Sequence, residues 1–272
     1  MSNKRICFIG AGNMSRSIIS GLVNSGYPAH LIEASNPSTG KLTALEADFG
    51  IKVTTDNLAA AKQADVIVLA VKPQLMQQVC EALRPLALSD KLLITIAAGI
   101  NAGRYQDYFA QPVKLIRTMP NTPMQIGAGM SGMFAPANIS EDDKTICHRI
   151  MSSGGQALWV DKEADLNLVI ALSGSSPAYF FLFIEAMIKA ASELGMDEDK
   201  ARALAQQAAL GAAKMLQENP QLTPEQLRQN VTSKGGTTHE AVETLKQGKL
   251  PELVQQAMNN CIVRAEAMAQ EF

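Results

Sequence analysis

The stretch that most constrains this chain lies near its start, where a short apolar run meets two glycines. Residues 6–9 read Ile-Cys-Phe-Ile, which is typical of a strand buried on both faces of a sheet. Gly10 permits a tight turn, and Gly12 has no side chain to keep a pyrophosphate from the backbone. A helix predicted over residues 13–24 would direct its free amide groups at that phosphate. Ser15 stands where such turns usually carry a third glycine or alanine. Because a plain turn between a strand and a helix gives a similar pattern, a dinucleotide-binding site and a purely structural turn both stay open.

The composition indicates a folded protein with a sizeable core. Of 272 residues, 47% are hydrophobic and 18% are charged, and the length suffices for two domains. The net charge is −2 and the cations are spread along the chain, so no basic face indicates a nucleic-acid partner. The histidines are scattered and the cysteines lie far apart, which argues against a metal site and indicates a reducing compartment; the cysteines are Cys7, Cys80, Cys147 and Cys261.

Two stretches bear on where the protein resides. The residues Met-Ser-Asn-Lys-Arg lead directly into the first strand, so we expect no signal peptide. The most apolar segment, residues 178–188, contains Glu185 and is too short to span a bilayer. We therefore expect a soluble, cytoplasmic protein with no membrane partner.

The first half of the chain alternates between strand and helix patterns. This rhythm predicts a doubly wound, mainly parallel sheet in a domain over residues 1–161, with ligands bound at the carboxyl ends of the strands. The further strands are expected at 30–34, 65–71, 92–96, 113–117, 128–134 and 157–160, with helices at 39–49, 74–86 and 140–152.

After residue 161 the strand patterns stop, which predicts an all-helical second domain over residues 162–272. Asp197 and Thr223 are expected to cap two of its helices, and a second capping box is expected at Thr237. The helices are predicted at 164–172, 177–194, 198–217, from 224, 237–247 and 251–272.

One helix of this second domain is apolar on every side. Residues 179–184 read Tyr-Phe-Phe-Leu-Phe-Ile, and such a helix should be buried. Because about 110 residues can hardly bury it alone, we predict a dimer with interleaved helices. The alternative is a core helix packed against the first domain.

The end of the second strand bears on the choice of cofactor. An NAD site would place an acidic side chain there, against the ribose 2′-hydroxyl. This chain instead carries Ser35, Asn36 and Ser38, with Lys41 one turn later, while Glu33 lies inside the strand. Hydroxyls, an amide and a lysine suit a 2′-phosphate, so NADPH is favoured and NADH stays open. The Asn-Pro-Ser run could equally cap the following helix, and both can hold.

A second glycine pair, Gly235 and Gly236, precedes a helix late in the chain. Hydroxyl residues flank the pair, and consecutive amides at such a helix start form an anion site. Because the first glycine turn already serves the cofactor phosphates, this site suggests a substrate carboxylate. A well-capped helix after a Gly-Gly turn is the alternative.

Several motifs resemble the pyrroline-5-carboxylate reductase family. The central one is Leu-Ser-Gly-Ser-Ser-Pro-Ala-Tyr at 172–179, and the C-terminal ones lie at 212–216 and 230–242. The first half matches as well, at 8–14, 70–73, 97–99 and 119–123. The resemblance covers essentially the whole chain, in order.

This resemblance implies NAD(P)H-dependent reduction of the cyclic imine 1-pyrroline-5-carboxylate to L-proline, the last step of proline biosynthesis. It implies a Rossmann-type domain followed by a helical dimerisation domain, in a homodimer that can assemble into a larger ring such as a decamer. Beside Gly10 and Gly12, the cofactor would be bound by Asn13, Met14, Asn36, Asn57, Ala70, Lys72, Pro73 and Ala97. The substrate would be bound by Ser233, Gly235, Gly236, Thr237 and Thr238, with the catalytic Thr238 hydroxyl facing the imine nitrogen.

The chain departs from the family pattern at three places. Lys234 stands where many members have proline, and Ser15 where they have glycine or alanine. Many members also have an acid just before Asp165, where this chain has Ala164; Glu163 is one residue away, so no contact is assigned to it.

The expected residues fit the chemistry of imine reduction. A protonated imine is already electrophilic, so the site needs to orient it rather than supply a strong acid. Gly235 to Thr237 can hold a carboxylate, and Thr238 can hydrogen bond to the nitrogen. His239, in the first turn of a helix, and Lys72, in the first domain, are less suited as general acids.

Two other functions remain open from the residues. A 3-hydroxy acid dehydrogenase or imine reductase of the same plan would need an acid/base group on the long helix, where Lys189 lies too near the end. A non-catalytic NADP-binding regulator would not need the second anion site.

Overall fold

The computed structural model describes residues 3–271 and contains one eight-stranded sheet. The strand order is β3-β2-β1-β4-β5-β6-β7-β8, and only the β6–β7 pair is antiparallel. The predicted doubly wound, mainly parallel sheet is thereby confirmed. The strands are β1 Ile6–Ile9, β2 Ile32–Ser35, β3 Lys52–Thr54, β4 Val66–Leu69, β5 Leu92–Thr95, β6 Lys114–Met119, β7 Gly129–Phe134 and β8 Gly155–Trp159.

Twelve α-helices are described besides short 3₁₀ and π segments. In the first half they are α1 Asn13–Asn24, α2 Thr39–Phe49, α3 Asn57–Gln63, α4 Pro73–Ala82, α5 Ala102–Phe109 and α6 Glu141–Ser152. In the second half they are α7 Asp165–Val169, α8 Ser176–Glu193, α9 Glu198–Glu218, α10 Pro224–Asn230, α11 Thr237–Gln247 and α12 Leu250–Glu271. Met1, Ser2 and Phe272, which the predicted domains and last helix include, lie outside the described residues.

The central strands of the sheet are buried on both faces, as their continuous apolar runs predict. Side chains alternate along β1, so Ile6 and Phe8 join one core cluster while Cys7 and Ile9 join the other. β1 lies between β2 and β4, with Ile9 opposite both Ser35 and Leu69. The carboxyl ends of these strands therefore meet at one edge of the sheet, on either side of the point where the strand order reverses.

The structure corrects several predicted bounds. β2 begins two residues later than predicted because Ala29–Leu31 form a 3₁₀ turn, and β6 extends through Met119. The sequence did not reveal β3, α3 or α5, which are three, seven and eight residues long. Elements this short carry too little periodicity to be recognised.

The helix starts in the second half were predicted with mixed success. The Asp197 side chain accepts a hydrogen bond from the Lys200 amide, and Thr223 forms a capping box with Gln226, as predicted. The capping box predicted at Thr237 is wrong. The N-cap of α11 is Gly236, so Thr237 already belongs to the helix, and no side chain caps this end.

The described chain divides into two compact units. One unit comprises the described residues up to Pro177 together with those from Asn260 onward. The other unit comprises residues 178–259 and is helical. No residue of α8 is buried, and Phe181 is 64% exposed. The helical segment Asp165–Glu193 is long and apolar enough, by length and composition alone, to cross a membrane. An apolar helix surface of this extent also suits a protein interface.

Candidate nucleotide and substrate sites

A cleft of about 600 Å³ lies at the carboxyl ends of the first four strands. Of the residues predicted to bind the cofactor, six line it: Gly10, Gly12, Asn36, Asn57, Ala70 and Lys72. Asn13, Met14 and Pro73 lie in the first turns of the adjacent helices α1 and α4, and Ala97 is buried just after β5. The cleft lies at the point where the strand order reverses, which is where dinucleotides bind in such sheets.

Gly10 is required by the backbone of this cleft. Its φ is 108°, and a Cβ added there would lie 2.6 Å from the Ala70 carbonyl oxygen. The Gly10 amide donates to the Ser35 carbonyl at 2.7 Å, which holds the ends of β1 and β2 together. No other residue fits this position without strain.

Gly12, by contrast, is not required by the backbone. Its φ is −80°, and nothing lies within 4 Å of an added Cβ, so the fold itself tolerates a side chain there. In the part of the chain that the structure describes, the amides of Asn13, Met14 and Ser15 donate to no acceptor. Open space beside free amides at a helix start fits a pyrophosphate.

The structure explains Ser15, which departs from the usual glycine or alanine. Its side chain is fully buried, and Oγ donates to the Gly10 carbonyl at 2.7 Å. This bond ties the first turn of α1 back to the glycine turn. The serine therefore satisfies a buried carbonyl and still permits close packing of the helix on the sheet.

Asn36 organises the loop after β2. Its Oδ1 accepts from the Ala11 amide at 3.2 Å, and its Nδ2 donates to the Ser38 carbonyl and hydroxyl at 3.1 and 2.9 Å. The Ser38 side chain does not cap α2, so the loop is held by Asn36 instead. Lys41 and Thr55 also line the cleft.

The charges around the cleft are all positive. Its described lining contains Lys41 and Lys72 and no acidic residue. Glu33 instead lines a separate small cleft with Arg5 and Lys52, near the amino ends of the strands. One face of α4 forms another side of the cleft. Its lining residues have the spacing of a single helix face, which could have been recognised in the sequence; they are Leu75, Gln78, Val79 and Ala82.

A hydrogen-bonded network lies beside the cleft, at the carboxyl ends of β5 and β6. Arg117 on β6 is only 3% exposed, and its Nη1 pairs with Glu163 Oε1 at 2.7 Å. The same Glu163 oxygen accepts from the Ala102 amide at 2.6 Å, at the start of α5. Sequence reasoning missed Arg117; the signal was a charged residue in an otherwise apolar strand.

Two buried hydroxyls lie beside this network, since Thr95 is opposite Arg117 in the β5–β6 pairing. Thr95 Oγ1 and the Tyr105 hydroxyl are 2.6 Å apart, and burial raises the pKa of Tyr105. The phenol therefore stays protonated near neutral pH, where it can donate to Thr95. The Ala97 amide donates to the same Thr95 oxygen at 3.3 Å, which ties the loop after β5 to its strand.

The anion site predicted at residues 233–238 forms a turn followed by a helix. The Gly236 amide donates to the Ser233 carbonyl at 2.9 Å, and Gly235 has a φ of 73°. Lys234 is the second residue of this turn, a position that proline also fits, so this departure leaves the turn unchanged.

No side chain satisfies the N-terminus of α11. Within residues 3–271, the amides of Thr237, Thr238 and His239 donate to no acceptor, and the Thr238 side chain is exposed. A well-capped helix, the alternative interpretation, does not fit this geometry. The free amides suit an anion.

The chain matches known proteins along the full length of both sequences. A reductase named pyrroline-5-carboxylate reductase from Vibrio alginolyticus is 52% identical over the whole of both chains. The chain belongs to the pyrroline-5-carboxylate reductase family. The family model described as pyrroline-5-carboxylate reductase dimerisation matches residues 163–268, and the model described as NADP oxidoreductase, coenzyme F420-dependent, matches residues 5–99.

Solved structures of family members have the same fold. The pyrroline-5-carboxylate reductase from Coxiella burnetii has a TM-score of 0.92 and 39% identity, covering 98% of this chain and 99% of its own. The Plasmodium falciparum enzyme, solved with NADP bound, has a TM-score of 0.89 and 28% identity, with 99% of both chains covered. The family resemblance and the fold of a Rossmann-like domain with a C-terminal helical dimerisation domain are thereby confirmed.

Proposed function

We propose that this chain catalyses the NAD(P)H-dependent reduction of 1-pyrroline-5-carboxylate to L-proline, the last step of proline biosynthesis. The observation that carries the proposal is the uncapped start of α11, where three free amides follow the Ser233–Gly236 turn. Such a site binds a carboxylate, and the imino acid substrate carries one. The names of the relatives support the same reaction.

The substrate residues divide into a clamp and a nitrogen contact. Ser233, Gly235, Gly236 and Thr237 would hold the carboxylate through the turn and the helix N-terminus. The exposed Thr238 hydroxyl would hydrogen bond to the imine nitrogen and orient the C=N bond. Because the imine is protonated in the reaction, this single hydrogen bond and the clamp suffice without a strong acid.

The cleft in the first domain would hold the nicotinamide dinucleotide. Gly12 and the amides of Asn13 and Met14 would receive the pyrophosphate, and the remaining cofactor contacts come from Gly10, Asn36, Asn57, Ala70, Lys72, Pro73 and Ala97. When bound, the cofactor supplies the hydride that reduces the imine carbon. Lys41 and the absence of acids from the described lining favour the 2′-phosphate of NADPH over NADH.

The domain roles and assembly follow from the same proposal. Residues 1–161 would form the nucleotide-binding domain, and residues 162–272 the dimerisation and substrate domain. A homodimer is the smallest assembly that covers the exposed apolar surface of α8. The buried, unpaired cysteines support a reducing compartment, the cytoplasm.

Substitution of Thr238 tests the nitrogen contact. In Thr238→Ala we expect kcat/KM for pyrroline-5-carboxylate to fall about 10²-fold, the order of loss when one oriented hydrogen bond at the reacting group is removed, with NADPH binding unchanged. Thr238→Ser retains the hydroxyl and should keep most activity. Thr244→Ala removes an exposed hydroxyl that bonds only to the Glu240 carbonyl and is the matched control on the same helix. Unchanged turnover in Thr238→Ala would remove the assigned role.

A further inference from the structure

The loop between β5 and α5, residues 96–101, is fixed at several points. The Ala97 amide donates to Thr95 Oγ1, and the start of α5 donates to Glu163. Gly99 has a φ of 76°, and its missing Cβ would lie 2.7 Å from Met268 Cβ. This loop is therefore held against α12, against its own strand and against the segment before α7.

The Arg117–Glu163 pair is the centre of these attachments. Arg117 Nη1 donates to Glu163 Oε1 at 2.7 Å and to Asn101 Oδ1 at 3.3 Å, and Glu163 Oε1 accepts from the Ala102 amide at 2.6 Å. Two hydrogen bonds from the pair thus reach two consecutive residues, Asn101 and Ala102, and the third joins the pair itself. The Arg117 side chain is 4% exposed and the Glu163 side chain 29%. An ion pair with a buried partner is a poor source of net stability compared with apolar residues, so its presence suggests that it fixes geometry.

The place of this loop in the sheet gives it a role. Pyrophosphate at the end of β1 and adenosine beside the loop after β2 leave the nicotinamide on the β4 and β5 side. β5 pairs with β6 in a register that sets Thr95 opposite Arg117. The Arg117 pair therefore lies directly behind the loop that would form one wall of the nicotinamide site.

We propose that Arg117 and Glu163 are positioning residues that fix the 96–101 loop, and thereby the nicotinamide, for hydride transfer. The inference rests on the proposed function. It assigns a role to Glu163 through Ala102 and Asn101, by way of the loop. This chain departs from the family pattern because its acid is at 163 and Ala164 follows. The proposal gives that acid a role at the cofactor site.

Three variants separate positioning from stability. Glu163→Ala removes the acceptor of both hydrogen bonds, and Glu163→Gln keeps an oxygen acceptor but loses the charge. The double variant Arg117→Met/Glu163→Met replaces the pair by apolar side chains, which restores stability where the pair is only structural. Lys114→Ala is the control, because the Lys114–Asp143 pair lies at the opposite end of the same strand.

The measurements are kcat, the KM for each substrate, the primary isotope effect with 4-deuterated NADPH, and the thermal midpoint. For Glu163→Ala and the double variant we expect kcat to fall about 10- to 100-fold and the isotope effect to rise, since a small misplacement of reacting atoms costs that much. We expect the KM for pyrroline-5-carboxylate to stay within about two-fold, because the carboxylate clamp is elsewhere. Glu163→Gln should keep more activity than Glu163→Ala, and Lys114→Ala should equal the wild type.

The contrary results are equally definite. A double variant that regains both the thermal midpoint and kcat would show a structural role only and overturn the proposal, as would wild-type kcat in Glu163→Ala. Hydrogen exchange of the 96–104 segment, measured without substrate, should be faster in Glu163→Ala, and unchanged exchange would also overturn it. A wild-type protein inactive on pyrroline-5-carboxylate would instead refute the proposed function, and the exchange result would still stand on its own.

Discussion

Gly10 and Gly12 lie two residues apart in one turn but constrain the protein differently. Gly10 has a positive φ and no room for a Cβ, whereas Gly12 has an ordinary φ and open space around it. The first glycine is thus needed by the fold, and we propose that the second is needed by the ligand. This distinction is invisible in the sequence, where both belong to one motif.

Alanine at each position should separate the two requirements. Gly12→Ala is expected to keep the wild-type unfolding free energy and to raise the Kd for NADPH about 10-fold or more, because its methyl group would occupy the space of the pyrophosphate. Gly10→Ala is expected to lose about 1–3 kcal/mol of stability from backbone strain, with more from the clash with Ala70. Denaturant unfolding and NADPH titration check both; equal loss of stability in the two variants would contradict the distinction.

The roles of some single side chains could be predicted from the sequence, and the roles of other side chains could not. The caps at Asp197 and Thr223 involve residues three positions away and follow directly from local pattern. Ser15 and Glu163 had no assignable role, because their partners Gly10 and Ala102 are identified only by the folded geometry. The Thr237 capping box failed because Gly236 takes the N-cap position, so Thr237 is already the first helical residue.

At the scale of elements, length and burial decided what could be predicted. α1 and α2 lie at the predicted bounds because α1 is amphipathic and α2 follows Pro37 and ends at the left-handed Gly50. β7 pairs antiparallel with β6, an orientation that its apolar run does not encode. The apolar character of α8 was evident in the sequence, but its exposure in the single chain is a property of the fold.

A charge on α8 should therefore disrupt assembly. Phe181 is 64% exposed and lies on the apolar surface that we assign to the dimer interface. We expect Phe181→Asp to raise the dimer dissociation constant about 100-fold or more, because an unpaired carboxylate would be buried between subunits. Sedimentation measures this, and the near-ultraviolet signal of the first domain should persist. Thr43→Asp adds the same charge to exposed α2 and should leave assembly unchanged; an intact dimer in Phe181→Asp would contradict the interface.

At the scale of the whole molecule, buried thiols make stability depend on alkaline pH. Burial raises the pKa of Cys7 and Cys147 well above the ordinary value of a thiol, and raises the pKa of Cys80 to about 12. The folded protein then holds protons that the unfolded chain releases above the ordinary thiol pKa. The unfolding free energy should therefore fall as pH rises from the unfolded pKa towards the folded one.

Each buried thiol can contribute about 1.4 kcal/mol per pH unit in that window. Denaturant unfolding at a series of pH values from about 8 to about 10.5 should show a decline that begins near the pKa of an unfolded thiol. Cys147→Ala, in the core of α6, should have a shallower decline than the wild type. Equal slopes would show that Cys147 does not stay protonated in the folded protein.

The fold class and the family could be predicted because the glycine turn, the strand rhythm and the C-terminal motif all indicated one architecture. The central claim, that this architecture reduces pyrroline-5-carboxylate, is tested most directly by the loss of NADPH absorbance with that substrate and analysis of the product. We predict turnover that yields L-proline and no turnover with a 3-oxo acid. Turnover with the 3-oxo acid alone, or none with pyrroline-5-carboxylate, would contradict it.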